Sequence, residues 1–145
     1  MPTTSTRRKN KVSVQYAVRR RGVPSAASLR RWAALIPCGA TLRIVGAREG
    51  RRLNRSFRGK NYATNVLSFP YAKGEGDVIL CHPVIAREAR ARRKTLAAHY
   101  AHLVLHGLLH LRGYDHEKKR EAERMERAEI RLLARAGFGN PYTLE

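Results

Sequence analysis

One stretch, His106-Gly107-Leu108-Leu109-His110-Leu111-Arg112-Gly113-Tyr114-Asp115-His116, limits the folds open to this chain more than any other. Two histidines four residues apart on a helix carry Cβ atoms roughly 5–6 Å apart on one face. Both rings can then reach a single metal ion at the ~2.0–2.1 Å of a zinc–nitrogen bond. A third ligand needs a chain reversal, and Gly113 supplies one, because glycine takes the left-handed conformation that ends a helix. His116 is thereby brought back toward the pair. Three neutral imidazoles leave one tetrahedral position open, the property that separates a catalytic zinc site from a structural one closed by four protein ligands.

The spacing is similar to the His-Glu-x-x-His-x-x-Gly-x-x-His pattern of the metzincin metallopeptidases, with one departure. Position 107 is Gly where they carry Glu. That Glu is the general base of peptide hydrolysis, so its absence argues against a peptidase while leaving the metal cage intact. A buried helix with incidental histidines would explain the pair but not the added Gly113 and His116. His99, His102, His106 and His110 share one helical face, so spacing alone does not choose between His102/His106 and His106/His110. The Gly113 break chooses the latter, because only a pair in the last turn lies near a reversal. His102, one turn away, is then a group supporting the metal or substrate, or a plain packed histidine, and His99 and His102 stay open as proton-transfer groups.

The chain has 145 residues, enough for one domain with a core that needs no disulfide or structural metal. Lys and Arg number 30 against 11 acidic residues, a net charge of +19 that points to a polyanionic partner. No apolar run approaches the ~18 residues of a membrane span, which leaves nucleic acid ahead of a bilayer surface. An Arg-rich surface kept for solubility is the blander alternative. Cys38 and Cys81 fit buried or free thiols in a reducing cytosol, so a cytoplasmic location is expected. Residues 1–9, ending in Arg7-Arg8-Lys9, are expected to form a basic flexible arm ahead of a single domain over 10–145.

Along that domain, period-two alternation predicts a strand over Lys11–Val18; apolar residues centred on Leu42, Ile44 and Val45 predict a second over Thr41–Ala47, a third is read over Val66–Phe69 stopped by Pro70, and the short apolar run Val78-Ile79-Leu80 predicts a fourth over Asp77–Cys81. Helices are predicted at Ala26–Ile36, about Glu49–Phe57, about Pro83–Lys94, Leu96–Arg112 with Thr95 as its cap, and about Asp115–Ala136. In the second helix Leu53 and Phe57 should face inward, with Arg51, Arg52 and Arg55 outside. These three arginines and Lys60 are the candidate phosphate contacts. Leucines on most sides of the histidine helix predict that it lies at the centre of the fold. Asp115, beside His116, is read first as the cap of the last helix and second as a group orienting a ligand or water.

Five motifs occur in order: Leu53-Asn54-Arg55 to Arg58-Gly59-Lys60, Thr64-Asn65-Val66-Leu67-Ser68-Phe69-Pro70, Gly76-Asp77, the three-histidine segment ending Gly113-Tyr114-Asp115-His116, and Pro141-Tyr142. Through them the chain resembles the YbeY family of bacterial rRNA-maturation endoribonucleases over almost its whole length. That family lacks the Glu after the first His, so Gly107 fits it. The resemblance implies an α+β domain, here a small mixed β-sheet of about four strands with about five helices around a central metal-binding helix. It implies zinc or a similar ion on His106, His110 and His116, and a functionally important Arg58, whose planar fork suits charge developing on phosphate. Nickel and copper(II) suit three imidazoles as well as zinc does. It further implies cleavage of single-stranded RNA in small-subunit rRNA maturation and ribosome quality control, and contact with the small ribosomal subunit, a small-subunit ribosomal protein and an assembly GTPase. The rival functions are a metalloprotease-like hydrolase and a non-catalytic rRNA-binding assembly factor.

Overall fold

The computed structural model describes residues 11–143, so the arm expected over residues 1–9 lies outside the described residues. Four strands and five helices are seen among those described. The strands are β1 (Val12–Tyr16), β2 (Gly39–Val45), β3 (Val66–Ala72) and β4 (Glu75–Cys81). The helices are α1 (Ala26–Ala33), α2 (Ala47–Arg58), α3 (His82–Ala91), α4 (Leu96–Leu111) and α5 (Lys119–Arg135). The sheet order is β1-β2-β4-β3. β1, β2 and β4 run parallel, and β3 returns antiparallel to β4 through the Lys73-Gly74 turn. This is the mixed α+β arrangement expected.

Alternation along β4 divides the core. Val78 and Leu80 join Leu42 and Ile44 beneath α1, α4 and α5, while Ile79 and Cys81 join Val45, Leu67 and Val84 in a second cluster on the other face. Helix α2 packs on that second face through Leu53, which is partly buried, and through Gly50, whose position sits against the Cys81 sulfur. Helix α4 is buried around nearly its whole circumference, with Tyr100, Val104, Leu105 and Leu108 fully covered. Such a helix has no solvent face to spare for chemistry except at its ends. Thr95 caps its start by accepting the Ala98 N–H at 3.1 Å.

Several sequence expectations are corrected. α1 stops at Ala33, because the chain tightens so that Leu35 and Ile36 bond back three residues to Trp32 and Ala33 ahead of Pro37. β3 continues through Pro70 to Ala72: it is an edge strand, where proline is tolerated, and its register with β4 shifts between Pro70 and Ala72. α5 begins at Lys119, and Asp115 caps no helix; its carboxylate accepts the His116 N–H at 2.7 Å inside the preceding loop. Phe57 does not face inward. It is 65% exposed, since α2 is covered on its inner side by Gly50, Leu53 and the fully buried Asn54.

Candidate metal centre

His106 and His110 project from the last two turns of α4, and Gly113, at φ 97°, reverses the chain just beyond them. The reversal is closed by the Gly113 N–H on the His110 carbonyl and the Tyr114 N–H on the Leu109 carbonyl, both at 3.0 Å. His116 is thus delivered beside the pair. Ring centroids are 4.7 Å apart for His106 and His110, 5.0 Å for His110 and His116, and 5.6 Å for His106 and His116. One ligand nitrogen from each ring lies within 4.8 Å of the other two, a grouping that could hold one metal ion.

The hydrogen bonds say which nitrogens remain. His106 Nδ1 donates to Glu129 Oε2 at 2.7 Å, and His110 Nδ1 donates to the Tyr114 carbonyl at 3.0 Å. In both rings Nε2 keeps its lone pair, and an acceptor on the far nitrogen is the usual support of a metal-ligating histidine. Burial, reinforced by repulsion from His106 and His116, pushes His110 down to about 4. It is therefore neutral near pH 7, as a ligand must be. A divalent cation fits this donor set.

Glu129 connects this centre to the C-terminal segment. It projects from α5 at 1% exposure, and its other oxygen, Oε1, accepts His102 Nε2 at 2.7 Å and the Tyr142 hydroxyl. Burial alone would raise this carboxyl, but the hydrogen bonds from His102, His106 and Tyr142 outweigh it and hold it down at about 2. Tyr142 is pushed above its ordinary value by burial and by the carboxylate it touches. The carboxylate is a fixed negative charge behind His106.

His102 therefore stands one turn behind the three histidines, against Glu129 and Tyr142, and contributes no ring to the cluster. His99 belongs to a separate buried group: its Nε2 meets Glu88 Oε1 at 2.8 Å, and Asn65 Nδ2 donates to the same oxygen at 2.9 Å. Asp115 lies in the loop beside His116. The arginines are on the other layer. Arg51, Arg52, Arg55 and Arg58 line the outside of α2 and Lys60 follows it, all exposed, with Arg51 Nε donating to Asn61 Oδ1 at 2.9 Å. Arg58 is the last residue of α2, and the loop after it leads into β3, the strand that borders α4.

Gly107 has a structural reason beyond the missing peptidase base. A Cβ there would meet Val78 Cγ1 at 2.7 Å and the Ser68 hydroxyl at 3.2 Å, so α4 rests on the sheet at this point and a Glu has no room. Sequence reasoning missed Glu129 and the Tyr142 hydroxyl as partners of the histidines. A signal did exist: the inner stripe of α5 runs Met125, Ala128, Leu132, Leu133, and position 129 lies on it, so an acid there had to be buried. A broad surface cleft lined by Lys11, Arg30, Thr41, Tyr71 and Asp77 among others contains none of the three histidines. Donor chemistry, not cavity size, identifies the site.

Comparison with known proteins gives one consistent answer. The family model described as Endoribonuclease YbeY matches residues 10–137. Relatives bearing that name include one from Aromatoleum aromaticum, 55% identical and covering 82% of this chain and 81% of its own. Others come from Stenotrophomonas maltophilia strain K279a, 48% identical over 92% of this chain and 94% of the relative, and from Bordetella pertussis, 50% identical over 90% and 94%. Among solved structures, the solution structure of TM1509 from Thermotoga maritima matches with a TM-score of 0.50 at 23% identity, covering 91% of this chain and 99% of that one. That likeness concerns the fold.

Proposed function

The chain belongs to the endoribonuclease YbeY family, and on that premise we propose that it hydrolyses phosphodiester bonds of single-stranded RNA at the His106–His110–His116 centre. The observation that carries the reading is the gathering of three imidazoles whose free nitrogens converge while Glu129 and the Tyr114 carbonyl orient two of the rings. A divalent ion held there, zinc in our reading with nickel or copper(II) as alternatives, supplies Lewis acidity toward a phosphoryl oxygen and acidifies water.

The protein's own groups do the rest. Glu129 keeps the Nδ1 proton of His106 in place, so that its Nε2 stays a donor of electrons. Arg58 carries no ion pair among the described residues, and its planar fork is assigned to charge developing on the scissile phosphate. His102 and Asp115 stand close enough to the ligands, through Glu129 and His116 respectively, to steady them or pass a proton. Arg51, Arg52, Arg55 and Lys60 are assigned to phosphates flanking the cleaved bond. We assign residues 10–145 to a single catalytic domain, and small-subunit rRNA, the small ribosomal subunit with one of its proteins, and an assembly GTPase as cytoplasmic partners. No helix among the described residues is long and apolar enough to cross a membrane.

The test is direct. Metal-loaded full-length protein is incubated with an unstructured RNA and, separately, with casein, before and after chelator treatment. RNA cleavage that a chelator abolishes and added zinc restores supports the proposal. Proteolysis without RNA cleavage, or RNA cleavage indifferent to chelator, ends it.

A further inference from the structure

Helix α2 leaves one large apolar side chain in solvent next to its most basic turn. Phe57 is 65% exposed, yet its ring rests on Phe69 of β3 with centroids 4.8 Å apart and planes at 59°. Phe69 in turn packs against the second core cluster of Val45, Leu67 and Ile79. The pair is a fixed ledge with one open face. A single exposed Phe needs no explanation. The surroundings of this one do.

Arg48, Arg51, Arg52, Arg55 and Arg58 are exposed on the same helix, and Lys60 lies just past its end. The helix carries one acid, Glu49, and Arg43 already holds it at 2.8 Å. Among the described residues, then, nothing neutralises this charge. Tyr62, 57% exposed, in the following loop and Tyr71, 72% exposed, on the edge strand are further aromatic rings open to solvent. An apolar protein surface would have to desolvate that belt of guanidinium groups to reach the ring. A strand that alternates phosphates with flat apolar bases meets both chemistries at once, the combination by which single-stranded nucleic acids are held without sequence preference. β3 also ties the ledge to the metal helix: one residue before Phe69, Ser68 donates from its hydroxyl to the Gly107 carbonyl at 3.0 Å, between His106 and His110.

We propose that Phe57, braced by Phe69, is a stacking platform for an unpaired base of the RNA strand, with Arg55 and Lys60 on the adjoining phosphates. The inference rests on RNA being the substrate and adds the subsite that holds it. Stacking has a signature that charge lacks: it depends on the base and is nearly independent of salt, whereas each phosphate contact steepens the salt dependence.

The experiment measures kcat and KM of the metal-loaded full chain on an unstructured RNA at several salt concentrations, with an abasic ribose-phosphate strand as competitor. Phe57→Ala should raise KM by about five- to a hundred-fold, the range for loss of one stacked base, with kcat held. The salt slope and the inhibition constant of the abasic strand should not move. Phe57→Trp should restore tight binding. An unchanged KM in Phe57→Ala would assign the ledge to a protein surface and overturn the proposal while leaving RNA cleavage intact. Equal weakening toward the abasic strand would overturn it as well, and a parent protein that neither binds nor cleaves RNA would remove this inference and the function it rests on together.

Discussion

A buried carboxylate is costly unless its oxygens are satisfied, and Glu129 has both engaged, one by His106 and the other by His102 and Tyr142. Glu129→Gln preserves the shape but not the charge, and its amide can no longer accept at every contact. Metal affinity, read by competition with a chromophoric chelator, should fall by about 10- to 100-fold. Parental affinity in that variant would mean that packing alone orients His106. Arg58→Ala should lower the saturated cleavage rate by about 10²-fold or more with KM little changed, as expected of a transition-state contact. Arg58→Lys should not restore it fully, because an ammonium lacks the bidentate fork. A loss of affinity at constant kcat would instead make Arg58 one more binding residue. The histidine cluster was legible because its spacing is itself geometry, a helical turn and a glycine reversal. Glu129 was missed because six of the 11 acids fall between Asp115 and Glu129, and only its place on the inner stripe of α5 separates the buried one from the other five. Its meaning comes from α4, twenty-three positions earlier in the chain.

Elements obey the same division between local signal and contact. The period-two runs and the Thr95 cap could be read because they concern neighbours in sequence. Pro70 looked like a strand stop, and only the edge position of β3 makes it harmless. Phe57 fitted an inward face until Gly50 and Asn54 took that face. The seating of α4 on the sheet gives a measurable consequence. Gly107→Ala would gain about 1 kcal/mol of helix propensity. Its Cβ would also fall 2.7 Å from a stiff, branched Val78, and overpacking of that kind costs typically about 1–3 kcal/mol. Urea titration should therefore find the variant less stable than the parent, and equal or higher stability would show that α4 is free to lift. A second consequence concerns acid. Burial would raise Glu88, but hydrogen bonds from His99 and Asn65, together with the His99 and Arg92 charges, hold it below its ordinary 4.5. A depressed carboxyl contributes stability that is complete above the unfolded value and is lost as pH falls through the folded one. Glu88→Gln should then be less stable than the parent at pH 7, with the gap closing below about pH 4.5. A gap that persisted into acid would place the loss in packing.

At the scale of the whole molecule, the net charge of +19 is unevenly spread. Residues 115–129 hold six acids against five bases, so the excess lies elsewhere, and the outer face of α2 is one place where it concentrates. Composition announced a polyanionic partner but not the side it approaches, because that depends on which face of the sheet α2 covers. The histidines stand on one layer of the sheet and Arg51, Arg52 and Arg55 on the other, with β3 between them at the edge and Arg58 at the end of α2 from which the chain passes into β3. Binding and chemistry should therefore come apart under mutation. Replacing Arg51, Arg52 and Arg55 together should weaken RNA binding most at low salt. It should flatten the plot of log affinity against log salt by about 0.7 for each phosphate no longer neutralised. The saturated rate should survive, because none of the three is assigned to the reacting phosphate. The Phe57→Ala line should instead run parallel to the parent's, displaced at every salt concentration. If the triple variant also ran parallel, its arginines would not be touching phosphate; if it lost the saturated rate, Arg51, Arg52 and Arg55 would join Arg58 in the catalytic machinery and the division of labour along α2 would have to be abandoned.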